Sequence, residues 1–353
     1  MHKKIVIVLS HLSKGGTERV FSLIANKLIQ RIPVISIITL DGDKVDYPID
    51  DRISIKHIMI KHRKSPWKSI ETFFKLYKAI QSEKPDLMID PLYPHYTIPL
   101  SILFHIKIIL SLRNDPQHDK SKWYQKFRKL LYNQADSVVF QSAAPLRYFS
   151  KKVRAKSQII PNPISPDLPE RFEGRRRKEI VSVCRINEQK NIPMTIKAFA
   201  IFEKEFPDYS LSIFGDGELR DKMIGLSKEI APGCRIAFPG FVKNIHDIIR
   251  DCTMYVSSSN YEGISNSMLE ALALGIPSVI TDCPAGGARL YIRNEINGIL
   301  IPVGDVDALF RGMKRIVTDK EFAESISKRS ISIRDELDSE RIGELWFKLI
   351  QSM

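Results

Sequence analysis

The 353-residue chain has no long apolar segment and few cysteines. Its most apolar stretch, Leu92–Leu112, is interrupted by two prolines, two histidines and a lysine, which argues against a membrane-spanning helix. The four cysteines show no metal-ligand spacing, which argues against a zinc site. Low-complexity segments and short repeats are also missing from the sequence. We therefore expect neither an integral membrane protein nor a zinc or repeat protein.

The apolar run at the N-terminus is short, because Ile5–Leu9 contains only five residues. Five residues are too few for the core of a signal peptide, so a buried first strand is the better interpretation. Without a secretion signal the cysteines are expected to stay reduced, which predicts a cytoplasmic protein. The hydrophobic fraction of 43% and the charged fraction of 27% are typical of globular domains, and 353 residues suit two of them.

Positive charge is unevenly distributed along the chain, whose formal net charge is +13. Residues 1–165 contain 28 Lys and Arg against 13 Asp and Glu, a net charge of +15. Residues 166–353 contain 26 against 28, a net charge of −2. A basic half predicts contact with an anionic surface, either nucleic acid or lipid. No helix-turn-helix, zinc-finger or RNP-like pattern supports nucleic acid.

Short runs rich in Ile and Val alternate with helix-length segments in both halves of the chain. The predicted strands are Lys4–Ser10, Pro33–Leu40, Asp86–Asp90, Lys107–Leu112, Ser137–Gln141, Ile180–Cys184, Ser210–Phe214, Arg235–Phe238, Met254–Ser257 and Ser278–Thr281. This alternation is typical of parallel sheets with helices on both faces. A stretch with four prolines, 160–169, separates the halves. We predict an α/β fold of two Rossmann-like doubly wound domains, 1–165 and 166–335, that face a cleft.

Two segments that follow predicted strands contain groups suited to binding an anion. Adjacent glycines, Gly15 and Gly16, precede a helix and would let backbone N–H groups approach a phosphate. An ordinary tight turn is the alternative interpretation. Arg185 and Lys190 follow the first strand of the second domain, where they could clamp a diphosphate. Two solvated loop cations are the alternative there.

Two further segments follow later strands of the second half. The glycines around Gly215 lead into a helix, which by itself is a weak signal. Glu262 and Glu270 lie eight residues apart, and the loop and helix start between them could hold phosphate with free N–H groups. The alternative for Glu270 is a capping box with Ser267, in which the carboxylate only satisfies a backbone donor.

Together these segments resemble the retaining GT-B glycosyltransferases of the family 4 type, which include bacterial polysaccharide and lipid glycosyltransferases. The resemblance is densest from about residue 179 to 305. The matching features are the glycine loop, the basic pair, the paired glutamates and two later turns: Gly15-Gly16, Arg185 and Lys190, Glu262 and Glu270, Asn297-Gly298 and Gly304-Asp305. The order and spacing of these features make the resemblance specific, whereas no single one would.

The resemblance implies a role for each of these residues. Arg185, Lys190 and Glu262 would be the catalytic residues, the first two on the donor diphosphate and the third on the transferred sugar. Glu270 would accept hydrogen bonds from the ribose. The substrate-binding residues would be Gly15, Gly16, Arg113, Gly215, Gly240, Phe241, Gly263, Ile264, Ser265, Asn266 and Glu270. The first domain would bind the acceptor, the second the nucleotide sugar, and residues 336–353 would form a helix that crosses back to the first domain.

The chain departs from the family pattern at two positions. Cys184 replaces the glycine that usually precedes the arginine of the basic pair, and cysteine is small enough to fit. The histidine that many relatives have near the sugar is also missing, because no histidine aligns in the corresponding loop, 111–116. His95 is a substitute candidate, although a lone histidine is more often structural.

The resemblance implies that a hexose or N-acetylhexosamine moves from a nucleotide-diphosphate sugar, most simply a UDP-sugar, to a lipid-linked or polysaccharide acceptor with retention of configuration. Arg185 and Lys190 would stabilise the departing diphosphate, so we expect no metal and no cofactor other than this co-substrate. A non-catalytic nucleotide-sugar-binding module and a sugar-nucleotide epimerase or phosphorylase of similar fold are the alternatives.

Two basic segments of the first half contain interleaved aromatic residues. Lys61–Lys84 has seven Lys and Arg against two acids, and Lys120–Lys129 has five and no acid. A basic helix with an aromatic face is typical of helices that lie in a membrane interface. We therefore expect an anionic membrane surface as a partner, and peripheral association with the inner face of the membrane. The alternative is a set of ordinary core aromatics beside solvated cations.

Overall fold

The computed structural model describes residues 4–13, 15–60, 67–114, 116, 121–284 and 286–353. Within it the chain forms two compact units. One comprises Met1–Ser165 and Leu337–Met353, and the other comprises Pro166–Glu336. Residues 160–176, which include the proline-rich stretch, contain no helix or strand.

The first unit is built on a seven-stranded parallel sheet in the order β3-β2-β1-β4-β5-β6-β7. Its strands are β1 (Lys4–Leu9), β2 (Val34–Thr39), β3 (Ser54–His57), β4 (Leu87–Asp90), β5 (Lys107–Leu112), β6 (Ser137–Phe140) and β7 (Ser157–Ile159). Alternate residues of β1 enter two different cores, Ile5, Ile7 and Leu9 on one face and Val6 and Val8 on the other. Burial on both faces explains why this strand is apolar throughout.

Helices cover both faces of this sheet. The helices are α1 (Gly16–Leu28), α2 (Trp67–Glu83), α3 (Pro94–Phe104), α4 (Lys122–Gln134), α5 (Lys151–Ala155) and the C-terminal α13 (Ser339–Gln351). One face is covered by α1 and α13, whose Phe21 and Trp346 rings meet edge to face at 5.6 Å. The other face is covered by α2, α3 and α4. No helix of the described residues is both long and apolar enough to cross a membrane.

The second unit has a six-stranded parallel sheet in the order β10-β9-β8-β11-β12-β13. Its strands are β8 (Arg177–Val183), β9 (Ser210–Phe214), β10 (Ile236–Gly240), β11 (Cys252–Ser257), β12 (Ser278–Thr281) and β13 (Ile299–Ile301). Its helices are α6 (Ile192–Glu205), α7 (Arg220–Ile230), α8 (Ile245–Ile249), α9 (Asn266–Ala273), α10 (Val306–Thr318), α11 (Lys320–Ser330) and α12 (Ile333–Glu336). The predicted α/β class with two doubly wound sheets is confirmed.

Three strands escaped the sequence analysis, and all three lie at sheet edges: β3, β7 and β13. An edge strand pairs on one side only, and these are three or four residues long. Most residues of β3 and β7 are at least partly exposed, so they lack the continuous apolar run that marks a central strand. In each sheet the strand order reverses beside the first strand, at β1/β4 and at β8/β11. Ligands of doubly wound folds bind at such positions.

Candidate active site

The loop after β8 is fixed by close backbone contact with the loop after β9. Gly215 has φ +120°, and a Cβ atom there would lie 1.9 Å from the carbonyl oxygen of Cys184. The Ile186 N–H donates to the carbonyl oxygen of Asp216 at 3.0 Å. Position 215 therefore requires glycine if the loop after β8, which contains Arg185 and Lys190, is to keep this conformation.

We expect Gly215→Ala to destabilise the protein by roughly 2–4 kcal/mol, because the methyl group meets a backbone oxygen and the φ angle is strained. Gly225→Ala is the matched control: Gly225 lies inside α7 with open space around its Cα, and alanine should stabilise that helix by about 0.5–1 kcal/mol. Denaturant unfolding of both variants measures the difference. Equal stabilities would contradict the packing described for the loop.

Lys190 ends a short 3-10 turn in this loop, and its ammonium group forms an ion pair with Glu262. Glu262 follows β11, the neighbour of β8 in the sheet. Only 15% of the Lys190 side chain and 16% of the Glu262 side chain are exposed. Burial opposes the charge of Lys190, but the Glu262 carboxylate outweighs burial, so the pKa of Lys190 is raised. Lys190 therefore remains charged at neutral pH.

Glu262 accepts two hydrogen bonds besides the ion pair. Ser259 Oγ donates to Oε1 at 3.0 Å, and Gln189 Nε2 donates to Oε2 at 3.2 Å. Together with Lys190 these donors fix both carboxylate oxygens. Gln189 and Ser259 were not predicted, because no pattern in the sequence indicates that they point at Glu262.

Arg185 lies in a different environment from Lys190. Its side chain is exposed, and the Lys190–Glu262 pair forms without it. The structure thus brings together two of the three predicted catalytic residues and leaves the third at the surface of the same loop.

The helix after β11 begins two residues earlier than a capping box with Ser267 requires. Ser265 is the N-cap of α9, and its Oγ accepts from the Met268 N–H at 3.4 Å. Ser267 Oγ lies instead 3.0 Å from the Tyr255 hydroxyl. The capping-box interpretation of Glu270 is therefore wrong.

Glu270 is bound to a histidine that the sequence analysis missed. His246 Nε2, in α8, lies 2.9 Å from Glu270 Oε2, and both side chains are largely buried. A single histidine in a polar segment gives no sequence signal for this contact.

Gly240, the last residue of β10, and Phe241, which follows it, are the residues predicted to border the base pocket. The Gly240 carbonyl oxygen accepts from the Gly215 N–H at 2.8 Å.

The start of α9 packs against the loop that follows β12. A Cβ atom on Gly287 would lie 1.7 Å from the carbonyl oxygen of Gly263, so these two backbones touch. Ile264 between Gly263 and the N-cap is buried, while Asn266, the first helical residue, is partly exposed. This contact was not predicted, although the adjacent glycines Gly286 and Gly287 after a strand are a sequence signal for close backbone approach.

In the first unit, Gly15 is the N-cap of α1 and Gly16 is its first residue. Beside them lies the buried Glu18 carboxylate, which accepts a hydrogen bond from Ser10 Oγ. A Cβ atom on Gly15 would lie 1.9 Å from Glu18 Oε2. A carboxylate at this helix N-terminus was not predicted from the sequence.

Arg113 and His95 occupy different parts of the first unit. Arg113 follows β5 at the carboxyl edge of the sheet and is buried. His95 lies in the first turn of α3, with its ring 4.1 Å from that of Tyr96, and burial lowers its pKa. His95 is therefore mostly neutral at pH 7.

Comparison with known families covers nearly the whole chain. Residues 168–332 match the family described as "Glycosyl transferases group 1", and residues 14–168 match "Glycosyltransferase Family 4". The chain belongs to the GT-B glycosyltransferases of the family 4 type. Of this glycosyltransferase's predicted site residues, Arg185, Lys190, Glu262 and Glu270 fall in the first match, and Gly15, Gly16 and Arg113 fall in the second.

Several similar proteins match this glycosyltransferase over nearly the whole of the given sequence. An uncharacterized glycosyltransferase of Haemophilus influenzae is 24% identical, with 98% of this chain and 99% of that protein covered. A Campylobacter jejuni enzyme named as a GalNAc-α-(1→4)-GalNAc-α-(1→3)-diNAcBac-PP-undecaprenol α-1,4-N-acetyl-D-galactosaminyltransferase is also 24% identical, with 98% of each covered. The crystal structure of Anabaena Alr3699/HepE with UDP and glucose matches with a TM-score of 0.84 at 16% identity, covering both chains completely.

Proposed function

We propose that this glycosyltransferase moves a hexose or N-acetylhexosamine from a UDP-sugar to a lipid-linked glycan or another surface polysaccharide precursor, with retention and without a metal. The observation that carries the proposal is the buried Lys190–Glu262 pair at the carboxyl ends of β8 and β11. Contacts within the second unit hold both side chains in place, as electrostatic catalysis requires.

The donor diphosphate would bind to Lys190 and Arg185. An ammonium group has three N–H donors, and among the described residues Lys190 uses them only on Glu262. The remaining donors would bind phosphate oxygens, and the exposed Arg185 would add a planar fork from the same loop. Two cations can neutralise the charge that develops on the leaving diphosphate, which supports metal-independent transfer.

The two glutamates would bind the donor's sugars. A carboxylate has about four acceptor positions, and Lys190, Ser259 and Gln189 occupy three on Glu262. The fourth would accept a hydroxyl of the transferred sugar. Glu270, oriented by His246, would accept from the ribose.

In the proposed reaction the bond between the sugar C1 and the diphosphate oxygen breaks with its electron pair going to the diphosphate. The acceptor oxygen then bonds to C1 on the same face through an oxocarbenium-like transition state. The acceptor's proton passes to the departing phosphate oxygen. The protein would supply the positive charge of Lys190 and Arg185 and the positioning of the sugar by Glu262.

A lipid-linked acceptor is supported by the names of similar enzymes, two of which refer to diphospho-undecaprenol glycans. UDP as the donor nucleotide is supported by the structural neighbours solved with UDP or UDP-glucose. These are properties of those proteins, and for this chain they define the substrates to test first.

The donor proposal is tested with a panel of UDP-, GDP- and ADP-sugars, with and without EDTA. A UDP-sugar at about 100 times its Kd should stabilise the protein by roughly 2.7 kcal/mol, and slow hydrolysis of that sugar should continue in EDTA. Stabilisation without hydrolysis or transfer would favour the binding-module alternative, and an altered sugar nucleotide would favour an epimerase. A folded protein whose melting temperature no nucleotide sugar changes would rule out the donor site.

We further propose that the first unit docks on an anionic membrane. The adjacent helices α2, α3 and α4 expose large apolar side chains on the same side of the sheet: Trp67, Ile70, Phe74, Ile102, Leu103, Trp123 and Leu130. Trp123 is 71% exposed and Trp67 is 62% exposed. The predicted aromatic face holds only in part, because Phe73, Tyr77 and Phe127 pack on the core. Residues 61–66 and Lys120 lie outside the described residues.

The exposed face of α4 also has the positive charge that such docking needs. Lys122, Lys126 and Lys129 are exposed beside Trp123 and Leu130. Each cation near an anionic surface contributes about 1 kcal/mol, so this face and its apolar residues together suit reversible binding.

Co-sedimentation with vesicles should show binding that rises with the fraction of anionic lipid and falls with salt. Changing Lys122, Lys126 and Lys129 to Glu should abolish most of it. The matched control changes three exposed lysines of the second unit, Lys197, Lys222 and Lys228, to Glu and should bind like the wild type. Equal binding to neutral and anionic vesicles at low salt would contradict the proposal.

A further inference from the structure

Arg113 is a buried cation of the first unit. The residue is 7% exposed, and none of the ion pairs among the described residues includes it. Burial lowers the pKa of Arg113 to about 9, so the guanidinium still carries its charge at neutral pH. An unpaired buried charge costs several kcal/mol, and proteins usually pair such a group or use it to bind a ligand.

Two contacts hold the Arg113 guanidinium in place. Its Nη1 donates to Asn162 Oδ1, which also accepts from Gln141 Nε2 at 2.6 Å. Its Cζ lies 4.7 Å from the centre of the Phe21 ring. Arg113, Gln141 and Asn162 follow β5, β6 and β7, so the cluster lies at the carboxyl edge of the sheet. This is the edge where doubly wound folds bind ligands.

The two donors left over are Nε and Nη2, which are both buried and have no hydrogen-bond partner among the residues that the structure describes. These two N–H groups point along the same edge of the guanidinium plane. That edge is the fork that binds two oxygens of one phosphate or carboxylate group. Nη1 faces Asn162, so the structure occupies one edge of the guanidinium and leaves the bidentate edge unused.

We propose that Arg113 binds a diphosphate group with Nε and Nη2, as part of the substrate site of the first unit. This inference rests on the proposed function, in which both the donor and a lipid-linked acceptor contain a diphosphate. An anion in this position would compensate the buried charge and satisfy both donors. Because water is largely excluded there, the attraction would be screened less than at an exposed arginine.

Isothermal titration distinguishes the two sources of the diphosphate. UDP is titrated first into the wild type and Arg113→Gln, and inorganic diphosphate is then titrated into each protein saturated with UDP. If Arg113 binds the acceptor's group, the UDP-saturated wild type binds inorganic diphosphate, and Arg113→Gln binds it at least tenfold more weakly. If Arg113 binds the donor's group, Arg113→Gln weakens UDP binding at least tenfold instead.

Stability measurements separate a binding role from a structural one. Arg113→Gln removes an uncompensated buried charge, so its melting temperature should match or exceed that of the wild type. Arg128→Gln is the control: Arg128 is equally buried, but its Nη2 donates to the Pro116 carbonyl oxygen at 2.6 Å. Arg128→Gln should have a lower melting temperature than the wild type and should bind UDP and inorganic diphosphate with wild-type affinity.

Arg113→Lys, which keeps the charge but loses the fork, provides a second variant if the glutamine variant does not fold. Arg113→Lys should lose most of the affinity, for UDP or for inorganic diphosphate, that Arg113→Gln loses. Unchanged affinity of the folded variants for both UDP and inorganic diphosphate would overturn the proposal. Failure of the wild type to bind UDP at all would instead count against the donor site, independently of Arg113.

Discussion

Lys190→Ala should lower the rate of sugar transfer by two orders of magnitude or more. The variant loses a cation that would stabilise charge on the leaving diphosphate, a contact worth about 3 kcal/mol or more in comparable sites. It also leaves Glu262 partly buried without its ion pair, which would disturb the position of the sugar. Both effects act on turnover, so kcat should fall more than KM rises.

The control for this variant is Lys197→Ala, an exposed lysine on α6 of the same unit. Its turnover should equal that of the wild type. Steady-state kinetics on both variants, with melting curves to confirm folding, gives the comparison. If Lys190→Ala keeps turnover within about threefold of the wild type, then Lys190 does not bind the diphosphate in the transition state.

Glu262→Gln should reduce transfer by a similar factor, for a different reason. The amide is nearly the same shape as the carboxylate, but it has no charge and only one acceptor oxygen for the three donors that Glu262 now receives. The Lys190 ammonium would then be buried without its counter-ion, so we also expect roughly 3 kcal/mol of lost stability. Glu188→Gln, an exposed residue in the neighbouring turn, should change neither quantity.

The double variant distinguishes a coupled pair from two independent residues. If Lys190 and Glu262 act as one unit, the double variant should be little worse than either single variant. Fully multiplicative losses, about four orders of magnitude in total, would mean that the ion pair is incidental to catalysis.

The sequence predicts the central strands of both sheets because those strands are buried on two faces. Ile, Val and Leu fill β1 and most of β5, and the helices between the strands have segment lengths that fit parallel crossovers. Edge strands such as β3 have one neighbour and mixed exposure, so neither a run nor an alternation marks them. The position of β3 depends on its pairing with β2, which no local pattern specifies.

The approach of Lys190 to Glu262 across 72 residues follows from topology. Each residue follows a strand, and β8 and β11 are neighbours, so their loops meet at one edge. The partners of these groups depend on tertiary contacts that the sequence does not reveal. His246 on Glu270, Gln189 on Glu262 and Glu18 beside Gly15 are examples.

The error at α9 has a local cause. Ser265 and Ser267 are both acceptable N-cap residues, and only the serine at 267 is followed three residues later by a glutamate, as in a capping box. The structure starts the helix from Ser265, which leaves Glu270 in the second turn and directed at His246. Tertiary contacts of Ser267 with Tyr255 outweigh the local preference.

The most direct test of the proposed chemistry is the anomeric configuration of the product. The purified protein is incubated with an α-linked UDP-sugar and a lipid-diphosphate-linked glycan in EDTA, and the new linkage is read from its anomeric proton coupling by NMR. If Lys190, Arg185 and Glu262 support transfer with retention of the anomeric configuration and without a metal, the product should be α-linked even in the presence of EDTA. A β-linked product, or transfer that stops in EDTA and returns with magnesium or manganese, would contradict it.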